Sequence, residues 1–299
     1  MSRRWRVRWP LLVGWLLLPW AGAQAGTAVS VASPALVLQI DDSVLSPNRD
    51  ARVRFLVLHY TAGDLPHSMD LLTSPQAQVS AHYLVPGHSP VQGGFRVFRL
   101  VPESERAWHA GNSHWQGSAQ INAGSIGIEI VNIGYPPEDA GLPLEQRRWA
   151  PFTPQQMQAV GSLAREIVQR YRIAPARVVG HSDIAPRRKV DPGPLFPWEW
   201  LYRMYAVGAW PDPATVAWYR RQHPWHGDIR FLQQALADYG YAVPISGALD
   251  SATRDVVAAF QMHYRPADYA GTPDADTVAR LEALLEQYRG RVRPATTAH

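Results

Sequence analysis

The sequence predicts an α/β domain followed by a small helical domain. Of 299 residues, 46% are hydrophobic and 18% are charged, a balance typical of globular proteins rather than of disordered ones. Strand-like apolar runs alternate with a helical pattern in residues 35–205, which favours an α/β domain there. Beyond a predicted linker at 206–224 the apolar period becomes purely helical, which predicts a three-helix domain over residues 225–290.

Three apolar runs and one helix define the predicted first domain. The strand-like runs are "RVRFLVLHY" (52–60), "SIGIEIVNIG" (125–134) and "ARVVGH" (176–181). Between the last two runs, Thr153 can cap a helix whose first position is Pro154, and apolar residues then recur on one helical face.

The second domain contains a short internal repeat. The segments "GALDSAT" (247–253) and "GTPDADT" (271–277) share the pattern G-x-x-D-x-x-T at an offset of 24 residues. An aspartate at the cap position with a threonine three residues later is typical of a helix start. An earlier apolar stripe ends at Gly240, so the sequence predicts three helices in this domain.

The N-terminus has the three-part pattern of a secretory signal peptide. Four arginines precede an apolar run from about Leu11 to Gly22, and Ala23–Gln24–Ala25 supplies small residues for cleavage. The run is shorter than a membrane-spanning helix, which needs about 20 residues. We therefore expect residues 1–25 to be removed and the mature protein to lie in the periplasm, without an integral membrane segment.

Charge and cysteine content exclude several classes of partner. The net charge is +4, but four of the 29 basic residues and none of the 25 acidic residues lie in the predicted signal peptide. The mature chain is then formally neutral, which argues against a nucleic-acid partner. The sequence contains no cysteine, so we expect neither disulfides nor a lipid anchor.

Two histidines and an aspartate form a candidate metal site. His59 ends the first predicted strand, His181 ends the third, and Asp191 follows on a proline-rich loop. Two imidazoles and one carboxylate, with water in the fourth position, make a common catalytic zinc site. The chain has 11 histidines, so a packing role for either histidine remains open at this point.

Glu129 and Lys189 are the candidate catalytic residues. Glu129 interrupts an apolar strand, where an ionised side chain is costly unless it has a partner or a task. Near a metal-bound water it would be a suitable general base. Lys189, the only lysine of the chain, could donate to the carbonyl oxygen as negative charge develops there, or it could be one exposed cation. No G-x-S-x-G turn is present, which argues against a serine hydrolase.

Five ordered motifs resemble the zinc N-acetylmuramoyl-L-alanine amidases of the AmiD and AmpD type. They are "VLHYTA", "SAHYLV", "AWHAGNSHWQG", "SIGIEIVN" and "GHSDIAPRRKVDPGPLFPW", all within residues 50–200. The resemblance implies zinc ligands at His59, His181 and Asp191, with Glu129 and Lys189 as catalytic residues. It also implies a mixed central sheet packed by helices, as in peptidoglycan recognition proteins, and the helical domain resembles a peptidoglycan-binding module.

Three aromatic side chains in the motifs are candidate substrate contacts. Trp108, His109 and Trp115 could flank the cleft and pack against sugar or peptide, but each could equally belong to the core. His82 could face the substrate or only brace the site.

The expected function is zinc-dependent hydrolysis of the amide between N-acetylmuramic acid and L-alanine in peptidoglycan or muropeptides. Two alternatives remain open, namely a non-catalytic peptidoglycan-binding protein on the same scaffold and a zinc peptidase acting within the stem peptide. If the second domain only raises the local substrate concentration, a chain cut at about residue 215 should still hydrolyse soluble muropeptides.

Overall fold

The computed structural model describes residues 39, 41, 43–44 and 46–295, so the predicted signal peptide lies outside the described residues. The strands of this part are β1 Phe55–Tyr60, β2 Tyr83–Val85, β3 Pro90–Val91, β4 Gly94–Phe95, β5 Phe98–Arg99, β6 His114–Trp115, β7 Ser118–Ala119, β8 Ser125–Ile130 and β9 Val178–Gly180. Its helices are α1 Leu65–Thr73, α2 Pro154–Tyr171, α3 His181–Ile184, α4 Trp198–Tyr205, α5 Pro213–Gln222, α6 Ile229–Tyr239, α7 Ser251–Tyr264 and α8 Ala275–Arg289. Over the same residues, no helix has both the length and the apolar character that a bilayer crossing requires.

A five-stranded mixed sheet in the order β5-β2-β8-β1-β9 forms the centre of the first domain. Strands β2, β8, β1 and β9 run parallel, and only β5 pairs antiparallel to its neighbour. The apolar runs of β1 and β8 lie in the middle, where both faces of the sheet are covered. Parallel strands end at one edge of a sheet, so the ends of β1, β8 and β9 meet there.

The helix predicted from Thr153 and Pro154 is confirmed as α2. The Thr153 hydroxyl accepts a hydrogen bond of 3.2 Å from the backbone N–H of Gln156, and Pro154 is the first helical residue. The buried stripe includes Met157 and Val160. This stripe packs against the sheet and covers one of its faces.

Strand β8 is shorter than the predicted run of 125–134. It ends at Ile130, and the following Asn132 side chain turns the backbone away from the sheet. The Oδ1 atom of Asn132 accepts from the backbone N–H of Gly134 at 2.7 Å, and its Nδ2 donates to the carbonyl oxygen of Pro151 at 3.1 Å. The left-handed backbone of Gly134, with φ of 71°, completes the turn.

The helical domain uses one structural unit twice, as the repeated motif predicts. Asp250 and Asp274 each accept a hydrogen bond of 2.8 Å from the backbone N–H three residues later, which caps α7 and α8. A buried glutamine of the preceding helix bonds to the glycine N–H and the threonine hydroxyl of each motif. These glutamines are Gln233 and Gln261. Each helix start is therefore fastened to the helix before it.

The two domains pack directly on one another. From residue 50 onward the chain forms one compact unit, and the hydrophobic core continues from the sheet into α6, α7 and α8. The segment predicted as a linker, 206–224, contains α5, whose Val216 and Tyr219 pack against Ala279 and Ala283 of α8. The helical domain therefore shares a core with the domain that carries the candidate site.

Candidate metal centre

Three buried donor atoms converge at the edge where the parallel strands end. His59 Nδ1 and His181 Nδ1 lie 3.0 Å apart, and each is 3.1 Å from Asp191 Oδ2. The three residues are exposed by 0%, 4% and 6%, respectively. In a tetrahedral zinc site with bonds of about 2.0–2.1 Å, ligand atoms are about 3.3 Å apart. The spacing fits a metal ion, and the predicted ligand set is brought together.

Gly180 lets the loop with Asp191 approach the end of β9. A Cβ atom at Gly180 would lie 2.6 Å from Pro192 Cδ, so a larger residue would displace the loop. The backbone N–H of Ser182 donates to the carbonyl oxygen of Asp191 at 2.8 Å. The Asp191–Pro192 peptide bond is cis. The turn that carries His181 is therefore tied to the loop that carries Asp191.

The surroundings of the two histidines suit a cation between the three donor atoms. Burial lowers the pKa of His59 to about 4, although Asp191 opposes this, so its ring is neutral at pH 7. Burial would raise the pKa of Asp191, but the charges and hydrogen bonds of His181 and His59 hold it below its usual range. His181 Nε2 lies 3.2 Å from the carbonyl oxygen of Ala110, which only accepts. If His181 carries its hydrogen on Nε2 and donates it to this carbonyl, the Nδ1 lone pair is available to a metal ion in place of the hydrogen bond to Asp191.

His109 lies behind His59 and also lines the cleft. Its Nδ1 is 3.0 Å from His59 Nε2, and its Nε2 is 3.0 Å from Ser125 Oγ. Both ring nitrogens are engaged within the protein, so the ring face is what the cleft can offer a substrate, and the substrate contact stays a prediction. If His59 Nε2–H donates to His109, and His109 Nε2–H donates to Ser125, His59 Nδ1 is free to bind a metal.

A glycine makes room for this hydrogen-bonded chain. A Cβ atom at Gly127, on β8, would lie 2.5 Å from the His109 ring. The backbone N–H of Gly127 also donates to His82 Nδ1 at 3.0 Å, so His82 braces the strand rather than facing a ligand through that nitrogen. No local sequence pattern indicates the role of Ser125, which depends on contacts between residues distant in the chain.

The two predicted tryptophan contacts have different positions. Trp108 lines the cleft with 48% of its surface exposed, so its ring is available to a ligand. Trp115 is fully buried, its Nε1 donates to the carbonyl oxygen of Ala176 at 2.8 Å, and its ring packs edge-on against Tyr241. This burial contradicts the prediction of a substrate contact at Trp115, which is a core residue.

Glu129 and Lys189 line the same cleft, which has a volume of about 400 Å³. Glu129 pairs in register with His59, so both side chains project from the same side of the sheet. Its Oε2 atom is buried and has no hydrogen-bond partner among the described residues. Burial, reinforced by the charge of Asp191, raises the pKa of Glu129 well above its usual value, while Lys189 opposes the shift. A carboxylate in this setting is suited to accept a proton.

Arg188 supports the site and was not predicted. Its Nη2 donates to the carbonyl oxygens of Ala110 and Asn112 at 2.9 and 3.1 Å. The first of these carbonyls also faces His181 Nε2, so Arg188 holds the segment that orients this ligand. In the sequence, Arg188 is indistinguishable from its neighbour Arg187.

Comparison with known proteins identifies the family. A family model described as N-acetylmuramoyl-L-alanine amidase matches residues 49–194, and one for a peptidoglycan binding domain matches residues 226–281. The chain is 48% identical over 240 residues to N-acetylmuramoyl-L-alanine amidase AmiD of Escherichia coli (strain K12), covering 79% of this chain and 84% of that protein. The chain belongs to the N-acetylmuramoyl-L-alanine amidase family. This amidase is also 35% identical over 129 residues to 1,6-anhydro-N-acetylmuramyl-L-alanine amidase AmpD of Enterobacter cloacae, over 43% of this chain and 62% of that one.

Solved structures confirm the predicted fold class. E. coli AmiD in complex with the substrate anhydro-N-acetylmuramic acid-L-Ala-D-gamma-Glu-L-Lys matches with a TM-score of 0.76 and 45% identity, over 84% of this chain and 95% of that chain. AmpDh3 from Pseudomonas aeruginosa matches with a TM-score of 0.75 and 41% identity, over 85% of this chain and 100% of that chain. Both matches span the sheet and the helical domain of this amidase.

Replacing His109 by leucine should weaken metal binding, because His59 would lose the partner that fixes its tautomer. We expect a fall in zinc affinity of about 10–100-fold, the usual effect of removing a partner of a metal ligand. Competition with a chromogenic chelator measures it. Trp108→Ala, which alters the neighbouring exposed ring, is the control and should leave the affinity unchanged. Equal affinities in His109→Leu and the unmodified protein would contradict the role of His109.

Proposed function

We propose that this amidase hydrolyses, with bound zinc, the amide between N-acetylmuramic acid and L-alanine in peptidoglycan and its fragments. The observation that carries the proposal is the meeting of His59, His181 and Asp191 beside the unpartnered carboxylate oxygen of Glu129. Two matching structures are complexes with ligands of this class, E. coli AmiD with an anhydro-muramyl peptide and P. aeruginosa AmpDh3 with anhydromuramic pentapeptide.

Zinc suits the donor set, because two imidazole nitrogens and one carboxylate oxygen are common in catalytic zinc sites. When bound there, zinc supplies Lewis-acid catalysis, which polarises the scissile carbonyl and lowers the pKa of water. Glu129 takes the proton from the water that attacks the carbonyl carbon, and then donates it to the leaving nitrogen of L-alanine. The ammonium group of Lys189 stabilises the negative charge that develops on the carbonyl oxygen.

We propose that the protein acts in the periplasm after export directed by residues 1–25. Support comes from the arginine-rich start, the short apolar run and the small residues that end it. Cell fractionation with N-terminal sequencing tests this location, and protein found in the cytoplasm with an intact Met1 would contradict it.

The helical domain is the proposed site of attachment to the polymer. Support comes from its match to the peptidoglycan binding domain and from a cavity of about 620 Å³ at the start of α6. Trp225 and Phe231 line this cavity beside the basic side chain of Arg221. Aromatic faces pack against sugar rings, and a guanidinium pairs with the carboxylates of stem peptides.

The products of hydrolysis test the proposed reaction directly. Mass analysis of digested muropeptides should show free muramic acid species and intact stem peptides that begin with L-alanine. Chelation should abolish the reaction and zinc should restore it, because metal-free protein lacks the Lewis acid. Cleavage within the stem peptide would indicate a peptidase, and binding without any product would indicate a non-catalytic protein.

Glu129→Gln and Lys189→Arg should each retain zinc and lose turnover. Glutamine keeps the shape of Glu129 but cannot accept the proton, so kcat should fall by about 10²–10⁴-fold. The planar guanidinium of arginine places its donors differently from an ammonium group, so kcat should fall by about 10²–10³-fold. Zinc content and steady-state kinetics measure the two effects. Loss of zinc from Glu129→Gln would make Glu129 a ligand, and normal turnover in Lys189→Arg would make Lys189 a surface cation.

Trp225→Ala should weaken retention on insoluble peptidoglycan while leaving hydrolysis of soluble muropeptides unchanged. The ring lies in the helical domain, and its loss removes a contact with the polymer rather than with the reacting bond. Co-sedimentation with purified cell walls measures retention. If the variant and the unmodified protein sediment equally, the cavity does not bind the polymer.

A further inference from the structure

A buried hydrogen-bond network joins the helical domain to the turn that carries a metal ligand. The Oδ1 atom of Asp183 accepts from the Tyr241 hydroxyl at 2.6 Å. Its Oδ2 atom lies 2.7 Å from both His263 Nδ1 and the backbone nitrogen of Gly180. Asp183, Tyr241 and His263 are exposed by only 1%, 2% and 1%. Tyr241 follows α6, and His263 lies in α7, so two of the three donors come from the second domain.

Asp183 belongs to the same short helix, α3, as the metal ligand His181. The residue between them, Ser182, donates its backbone N–H to the carbonyl oxygen of Asp191. Three consecutive residues therefore provide a metal ligand, a hydrogen bond to the loop of another ligand and the attachment to the helical domain. A shift of this turn would move His181 and Asp191 together.

The network holds the turn in place, because a buried carboxylate is destabilised when it loses its hydrogen-bond donors. Without Tyr241 and His263, Asp183 would keep only the N–H of Gly180 among the partners described, and an unsatisfied buried carboxylate is costly. The His263 ring is itself fixed, since it stacks on Trp198 at 3.7 Å and on Tyr264 at 3.9 Å between ring centroids. Hydrogen bonds to a charged group are also stronger than neutral ones.

We propose that Tyr241 and His263 are positioning residues for the metal ligand His181, acting through Asp183. The helical domain is then part of the metal centre as well as an attachment to the polymer. The inference rests on the proposed metal site of His59, His181 and Asp191. It runs against the sequence-based expectation that a chain cut at about residue 215 would still hydrolyse soluble muropeptides, because the cut removes both donors.

The full chain offers matched variants for a test. Tyr241→Phe removes one hydroxyl from Asp183 and keeps the ring. His263→Phe removes the Nδ1 donor and keeps an aromatic ring between Trp198 and Tyr264. It also removes Nε2, but that atom has no hydrogen-bond partner in the described part of the chain. Tyr239→Phe is the control, because the Tyr239 hydroxyl is equally buried but bonds to Tyr264 at 2.8 Å and not to Asp183.

Zinc affinity, measured by chelator competition, is the readout that separates positioning from general stability. Tyr241→Phe and His263→Phe should each lower the affinity by about tenfold or more, as for other supports of metal ligands. The visible absorption of bound Co²⁺ should change in both variants, because the ligand geometry changes. With soluble muropeptides, kcat should fall while KM stays the same. The control should match the unmodified protein in all three measurements.

Other results would overturn the inference. Unchanged zinc affinity in Tyr241→Phe would show that the network only stabilises the domain interface, and an equal loss in Tyr239→Phe would show a general effect of buried hydroxyl loss. If His263→Phe does not fold, Tyr241→Phe decides the question alone. If the unmodified protein binds no zinc, the proposed metal site itself is refuted. If all variants bind zinc as tightly as the unmodified protein, the metal site stands and only the positioning role is refuted.

Discussion

The site depends on one electrostatic constraint, the meeting of three electron-pair donors within 3.1 Å of one another in a buried position. When the hydrogens of both imidazoles lie on Nε2, the two Nδ1 lone pairs and the carboxylate repel one another unless a cation lies between them. Much of the local structure serves to hold this arrangement. The parallel ends of β1 and β9 bring the histidines together, and Gly180 lets the loop of Asp191 approach.

The supports of the ligands extend well beyond the strand ends. His59 is oriented by a chain of two side chains that ends at Ser125, and His181 is oriented by the carbonyl of Ala110, which Arg188 holds. The hydrophobic core shared by the two domains places α7 in contact with α3. With supports on two domains, as we propose, metal binding stabilises the folded form of both domains, since a ligand favours the form that binds it more tightly.

Much of the fold and the ligand set could be predicted because their signals are local. Patterns of a few residues predict the cap of α2, the repeated starts of α7 and α8, and the histidines at strand ends. The role of Asp183 is not, because its partners Tyr241 and His263 are 58 and 80 residues away. Trp115 is a core residue, and the sequence does not show this for the same reason: a tryptophan in a motif can contact a ligand or pack in the core, and only the tertiary structure distinguishes the two.

Lys189 allows selective chemical labelling of the cleft. It carries the only side-chain primary amine of the chain, and all other basic side chains apart from histidine are guanidinium groups. That amine lies at the wall of the cleft, partly buried, beside Glu129. An amine-selective reagent has therefore only two kinds of target, the chain terminus and the cleft. A fluorophore or an affinity handle attached to Lys189 would report on occupancy of the cleft without any engineered residue.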